Sequence, residues 1–190
     1  MQHPDVSPDV VAAAQAGDER AFAQIVELHQ RSIFGLAYRM AGDAAQAEDL
    51  AQEVFLRVWR KLGSFRTAEP FRPWLLRLAT NVCINALKKR RLPLRPARTD
   101  EDRDPHEPAA PGPQASEVAE RRELLAHMES AIAQLPDDYR LVVTLRHVEG
   151  LAYEEIARTL GWPLGTVKVR LFRAREQLRE MMRPILGDEP

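Results

Sequence analysis

The chain has 190 residues, 45% of them apolar, and a net charge of −1. That is enough for two small domains or one medium one, and the near-neutral balance by itself points to no polyanionic partner. A single cysteine, Cys83, excludes an internal disulfide and a cysteine-rich zinc site, and the five histidines fall at no metal-ligand spacing. No apolar run reaches the ~18 residues of a membrane span. The first residues, Met-Gln-His-Pro-Asp, lack the charged and apolar regions of a secretory signal. The expectation is a soluble cytoplasmic protein without membrane insertion, metal or cofactor, in which Cys83 packs as a small apolar side chain.

Residues 1–17 read as a loose leader with a short helical stretch near Val10 to Ala16. Asp18 is a plausible N-cap for a helix running to about Met40, with Phe22, Ile25, Val26, Ile33, Leu36, Ala37 and Met40 at helical spacing. Gly42-Asp43 ends that helix and starts the next, and Asp43 with Gln46 resembles a capping box. The next helix runs from about Ala44 to Leu62. Ala47, Leu50, Ala51, Val54, Val58 and Leu62 form its apolar stripe. Asp49, Gln52, Glu53 and Leu56 share a second face, since their spacing is i, i+3, i+4 and i+7. That mixed face suits a protein contact, although a solvated surface can be built from the same residues.

Residues 63–72 form a loop containing Phe65, Pro70 and Phe71, and a long helix follows from about Pro73 to Arg91. Trp74, Leu75, Leu78, Ala79 and Val82 face inward. Arg77, Asn81, Asn85 and Lys88 lie on another stripe, and from Arg72 to Arg91 there is no acid. Amides and cations on one face suit bases and phosphates. Residues 92–116 carry repeated prolines among Asp100, Glu101, Asp102, Asp104 and Glu107, with no apolar period. They read as a flexible, acidic tether whose length and charge matter more than its order.

Two helices are expected next, Glu117 to Gln134 and Asp137 to Val148, separated by Leu135-Pro136. Residues 151–178 then read as a helix-turn-helix. Ile156, Ala157 and Leu160 line the first helix, Gly161 supplies the turn, and Val167 and Leu171 line the second. Lys168, Arg170 and Arg173 project from the outward face of that second helix, which fits a DNA major groove. An ordinary helical hairpin with a solvated basic face is the alternative. The fold class is all-α, with two helical domains at residues 18–91 and 117–183, and a tail at 184–190.

Three stretches, in order, make the chain resemble the extracytoplasmic-function (ECF) group of bacterial RNA polymerase sigma factors. They are Ala47 to Trp59, Phe71 to Asn81 with the basic run Lys88 to Arg91, and Leu135-Pro136 through Leu178. The resemblance implies sigma domain 2 at 18–91 and sigma domain 4 at 117–183, with no intermediate domain. It implies that Asp49, Gln52, Glu53 and Leu56 dock on core polymerase, whose beta-prime and beta subunits are the expected partners. Arg77, Asn81, Asn85, Lys88, Lys89 and Arg90 would meet the −10 promoter element, with Asn81 on a base and Arg77 and Lys88 on backbone. Thr166, Lys168, Val169, Arg170 and Arg173 would meet the −35 element, with Arg173 favoured as the guanine reader. An anti-sigma factor is implied as a further partner.

Two positions depart from the family pattern. Val169 stands where many relatives carry Ser, which exchanges a hydroxyl donor for a group suited to a thymine methyl. Trp162-Pro163 replaces a commoner small-residue pairing at the turn. A free-standing helix-turn-helix regulator, binding duplex DNA as a dimer, would share the basic second helix but has no use for the Asp49 or Asn81 faces. An enzyme would need clustered acids at metal spacing or a nucleophile beside a base, and the sequence offers neither.

Overall fold

The computed structural model describes residues 5–66, 69–91 and 115–186. Every regular element among them is helical. They are α1 (Pro8–Gln15), α2 (Glu19–Ala41), α3 (Ala44–Lys61) with a short 3-10 turn at Leu62–Ser64, α4 (Phe71–Arg91), α5 (Ala115–Gln134), α6 (Asp137–Val143) with a π turn at Thr144–Val148, α7 (Tyr153–Leu160) and α8 (Leu164–Leu186). The tether expected at 92–116 lies outside the described residues up to 114. Its last two residues are already helix, because α5 begins at Ala115.

The caps read from the sequence form as expected. Asp18 accepts from the amides of Arg20 and Ala21 at 2.8 and 3.2 Å, and Asp43 accepts from Gln46 at 2.7 Å. Gly42 closes α2 in the left-handed region (φ 76°), where a side chain would be strained. Ile25, Ile33, Leu36 and Met40 of α2 are fully buried against Ala47, Val54 and Val58 of α3. α4 is sunk deeper than one stripe allows. Leu75, Leu76, Leu78, Ala79, Thr80, Val82 and Cys83 are all buried, and Phe65, Phe71 and Trp74 stack about its start with centroids 5.0–5.4 Å apart.

Residues 5–17 are not a loose leader. Ser7 caps α1, Val11 and Ala14 are buried, and Gln15 Nε2 donates to the carbonyls of Leu62 and Phe65 at 2.9 and 2.8 Å. The sequence hid this because the helix is only eight residues long and three of them are alanine. The tail expected from residue 184 is also shorter, since α8 continues through Pro184 to Leu186.

In the second half, Leu141, Val142, Val143, Leu145, Ile156, Val167 and Leu171 form the buried centre. The helix expected over 137–148 changes character at Thr144. The amide of Glu149 bonds back to the Thr144 carbonyl, five residues away, and this re-aims the chain into the helix-turn-helix. α7 lies against α4, and α5 and α6 lie against α2, so one buried apolar cluster runs through both halves.

Candidate nucleic-acid interface

The turn between α7 and α8 has the required backbone. Gly161 sits at φ 66° and the Trp162 amide bonds to the Ala157 carbonyl at 3.0 Å. Upstream, the Ala152 amide donates to the Glu155 carboxylate at 2.7 Å, which fixes the start of α7. Pro163 needs no amide partner at the start of α8, and its carbonyl accepts from Thr166 and Val167. Val167, Leu171, Ala174 and Met182 hold α8 in place. The rest of the helix is open: Lys168, Val169, Phe172 and Arg173 are exposed, with Val169 at 51% and Phe172 at 62%.

The residues expected on this face are not equivalent. Lys168, Val169 and Arg173 project outward, and Thr166 is half-buried at the helix start. Arg170 is already engaged. Its Nη2 lies 2.9 Å from Asp138 Oδ2 in the first turn of α6, and its guanidinium sits 3.9 Å over the Trp162 ring. Arg170 therefore ties the recognition helix to α6 and to the turn. Asp138 and Trp162 were missed as partners because they lie 32 and 8 positions away in sequence. Phe172 was not among the outward residues expected, which were Thr166, Lys168, Val169, Arg170 and Arg173.

On the other half, Arg77, Asn81, Asn85, Lys88 and Lys89 are all exposed on α4. They emerge along a helix otherwise embedded in its domain. Arg90 belongs to the same helix, and its side chain lies outside the described residues. Cys83, on the buried side, has its thiol pushed up to about 12 by burial.

A third surface lies between α2 and α3. A groove of about 790 Å³ is lined by Phe22, Val26, Phe34, Phe55, Leu56 and Trp59, with Gln30, Arg31, Glu48, Ala51 and Gln52. Phe22 meets Trp59 edge-on at 4.8 Å. Of the four residues expected to bind a protein, Gln52 and Leu56 line this groove. Asp49 is exposed outside it, and Glu53 pairs with Arg57 at 2.6 Å. The aromatic walls were legible only in part. Phe55 and Trp59 fall off the apolar stripe of α3, four residues apart, but Phe22 was read as core and Phe34 was not singled out.

Among the described residues no cluster of histidine, cysteine or acids could hold a metal ion, and no helix is long and apolar enough to cross a membrane. The Sigma-70 region 2 model matches residues 25–92, and the Sigma-70 region 4 model matches residues 126–178. The chain is 41% identical over 187 residues to RNA polymerase sigma-H factor of Pseudomonas aeruginosa, covering 94% of this chain and 95% of that one. The chain belongs to the ECF RNA polymerase sigma factors. It is also 35% identical to the ECF sigma factor SigW of Bacillus subtilis, over 92% of this chain and 96% of that protein. CnrH, solved in complex with the cytosolic domain of CnrY, matches with a TM-score of 0.69 at 26% identity, over 95% of this chain and 99% of that chain. α2 to α4 carry sigma region 2, and α5 to α8 carry sigma region 4. As an ECF sigma factor, the chain joins core RNA polymerase and directs it to −10 and −35 promoter elements.

Proposed function

We propose that this sigma factor divides its work among the three surfaces just described, and that its own residues catalyse nothing. Region 2, taken as residues 18–91, docks on core polymerase in the cytoplasm through the α2–α3 groove. Gln52 and Leu56 sit inside that contact, with Asp49 and Glu53 on its flank. An apolar groove walled by aromatics is a good seat for a partner helix, because fully desolvated aromatic and aliphatic anchors dominate binding. An anti-sigma factor would use the same seat and so compete with polymerase.

α4 then meets the −10 element as a single strand. Asn81 offers a donor and an acceptor to one base edge, while Arg77, Lys88, Lys89 and Arg90 neutralise backbone and Asn85 adds a hydrogen-bonding group. Capturing an unstacked base offsets part of the energy of opening the duplex. In region 4, residues 117–183, α8 enters the −35 major groove. Arg173 forks onto a guanine, Val169 and Phe172 meet thymine methyls, and Lys168 and Thr166 meet phosphate. Residues 92–116 tether the two.

The observation that carries this reading is that one half of the chain holds both an open apolar groove between α2 and α3 and an exposed, acid-free strip on α4. A dimeric helix-turn-helix regulator has use for neither. The test is reconstitution with core polymerase. Gln52→Ala with Leu56→Arg should abolish core binding, since a central anchor is worth ~2 kcal/mol or more, and should leave the melting curve almost unchanged. A double variant that binds core normally, or a wild type that footprints promoter DNA equally well without core, would refute it.

A further inference from the structure

One side of region 4 gathers cations without an acid. Arg175 of α8 points Nη2 at His147 Nε2, 3.4 Å away on the π turn, and at Tyr153 Oη, 3.3 Å away at the start of α7. Arg146, the neighbour of His147, lies with its guanidinium 5.1 Å over the Tyr153 ring, and its Nη1 donates to the Leu151 carbonyl at 3.0 Å. Neither guanidinium has a carboxylate within 4.0 Å among the described residues. Arg175 and His147 are exposed, and Arg146 and Tyr153 are half-buried. Three elements thus bring basic groups together at the surface and leave their charge uncompensated.

The hydrogens of the cluster point to an acceptor. A guanidinium can only donate, so the His147 Nε2 that it faces presents a lone pair and the ring is neutral. The Tyr153 oxygen accepts from Arg175, which leaves its own hydrogen for another acceptor. An anionic oxygen among these groups would take the Arg175 and Tyr153 hydrogens and, once the ring gains a proton, that of Nε2 as well. Lys168 stands seven residues before Arg175, two turns away on the same side of α8 and ~10.5 Å along its axis. The cluster continues the flank on which Lys168 is set against phosphate.

We propose that Arg175, His147, Tyr153 and Arg146 seat one backbone phosphate flanking the −35 element, and that His147 carries its charge only while that phosphate is in place. The inference rests on the assignment of α8 to the −35 duplex made above. The groups that face the ring are Arg146, Tyr153 and Arg175. Desolvation first, and then the two cations, hold it below its ordinary value of 6.5 in the free chain. A phosphate opposes those cations and favours the charged ring. DNA binding then takes up a proton from solvent, so promoter affinity rises as the pH falls below neutrality. Arg175 supplies the permanent part of the seat and His147 the part that follows pH.

The test uses holoenzyme reconstituted from core polymerase and the full-length chain, on promoter DNA. Arg175→Ala should weaken promoter binding about tenfold, lower the salt slope by about 1 and leave core affinity unchanged. Arg175→Lys should recover most of the loss, since the charge is kept. In a scan of neutral methylphosphonates around the −35 element, one position should weaken wild type and have no effect on Arg175→Ala. Between about pH 7.5 and about pH 6, wild type should tighten about three- to fivefold relative to His147→Gln. An unchanged salt slope for Arg175→Ala, or no methylphosphonate position whose effect depends on Arg175, would overturn the seat. A loss of core affinity would do the same, by making the cluster a contact for an acidic surface of polymerase. Equal pH profiles for wild type and His147→Gln would refute the change of charge. Arg173→Ala is the control for the underlying reading. If it relaxes −35 base choice while Arg175→Ala is silent, the seat alone fails; if both are silent, α8 does not read the −35 element.

Discussion

The two helices proposed to face nucleic acid are mounted in opposite ways. α4 is embedded in region 2, with seven consecutive-turn positions from Leu75 to Cys83 buried, and it shows solvent one narrow strip. α8 rests on the remainder of region 4 along a stripe of Val167, Leu171, Ala174 and Met182, with Arg170 and Arg175 engaged at its flanks, and it leaves Lys168, Val169, Phe172 and Arg173 exposed. A major groove ~12 Å wide accepts a helix only if most of that helix stands clear of its domain. α8 meets the requirement and α4 does not. A strip on a sunken helix can only be reached by a strand that comes out to it. Mounting thus supports the proposed division between a surface for duplex and a surface for single strand.

Four measurements would break or sharpen that contrast. The largest effect should come from the mounting itself. Leu75→Ala on α4 should cost about 2–5 kcal/mol of stability, as large-to-small changes in cores do. Phe172→Ala on α8, a larger truncation at an exposed site, should shift stability by no more than about 0.5 kcal/mol. Equal losses in urea titrations would erase the distinction.

On the duplex side, Arg173→Ala should cost roughly 1–3 kcal/mol at one base pair of the −35 element and relax the choice there. Trp162→Leu should have a smaller, more even effect across the site, because it loosens Arg170 and not a base reader. A footprint with unchanged base preference after Arg173→Ala would move the reader elsewhere on the helix.

On the single-strand side, Asn81→Ala should reduce discrimination among −10 bases in an oligonucleotide assay by about 1 kcal/mol. Lys88→Ala should weaken all sequences alike and lower the salt slope by about 1. Uniform weakening by Asn81→Ala would make that side chain a backbone contact.

The smallest effect concerns pH. Desolvation first, and then the charges of Arg175 and Arg146, hold His147 below its ordinary value of 6.5. The unfolded chain therefore takes up a proton that the folded chain resists. Stability should be unaffected well above pH 6.5, and should fall as the pH drops below it. His147→Gln should flatten that slope in thermal melts, and a slope that persists would assign it to another group.

Local signals in the sequence carried most of this architecture. Asp18, Asp43 and Gly161 act within a few residues of themselves, so caps and turn were readable one segment at a time. The outward strip of α4 was readable for the same reason, since a helix repeats its faces by spacing alone. What escaped needed two distant segments at once. The groove takes walls from α2 and α3, Arg170 is engaged by Asp138 of another helix, and Glu149 is held by Arg72 and Ser32 from the other half of the chain. The π turn at Thr144–Val148 escaped too, because an i+5 hydrogen bond leaves no mark in residue type.

The burial of Cys83 reaches beyond packing. A thiol held near 12 is almost wholly protonated at neutral pH, and at 1% exposure no reagent can approach it. The chain therefore has no thiol chemistry of its own while folded. Peroxide and disulfide exchange should leave Cys83 unmodified, and an oxidant that changes transcription through this protein has to act on another group, such as a methionine, or on something bound to it. The same silence is useful at the bench. A maleimide dye will ignore the native molecule, so cysteines placed on the surface can be labelled against a dark background, and dye uptake at Cys83 becomes a direct clock for unfolding.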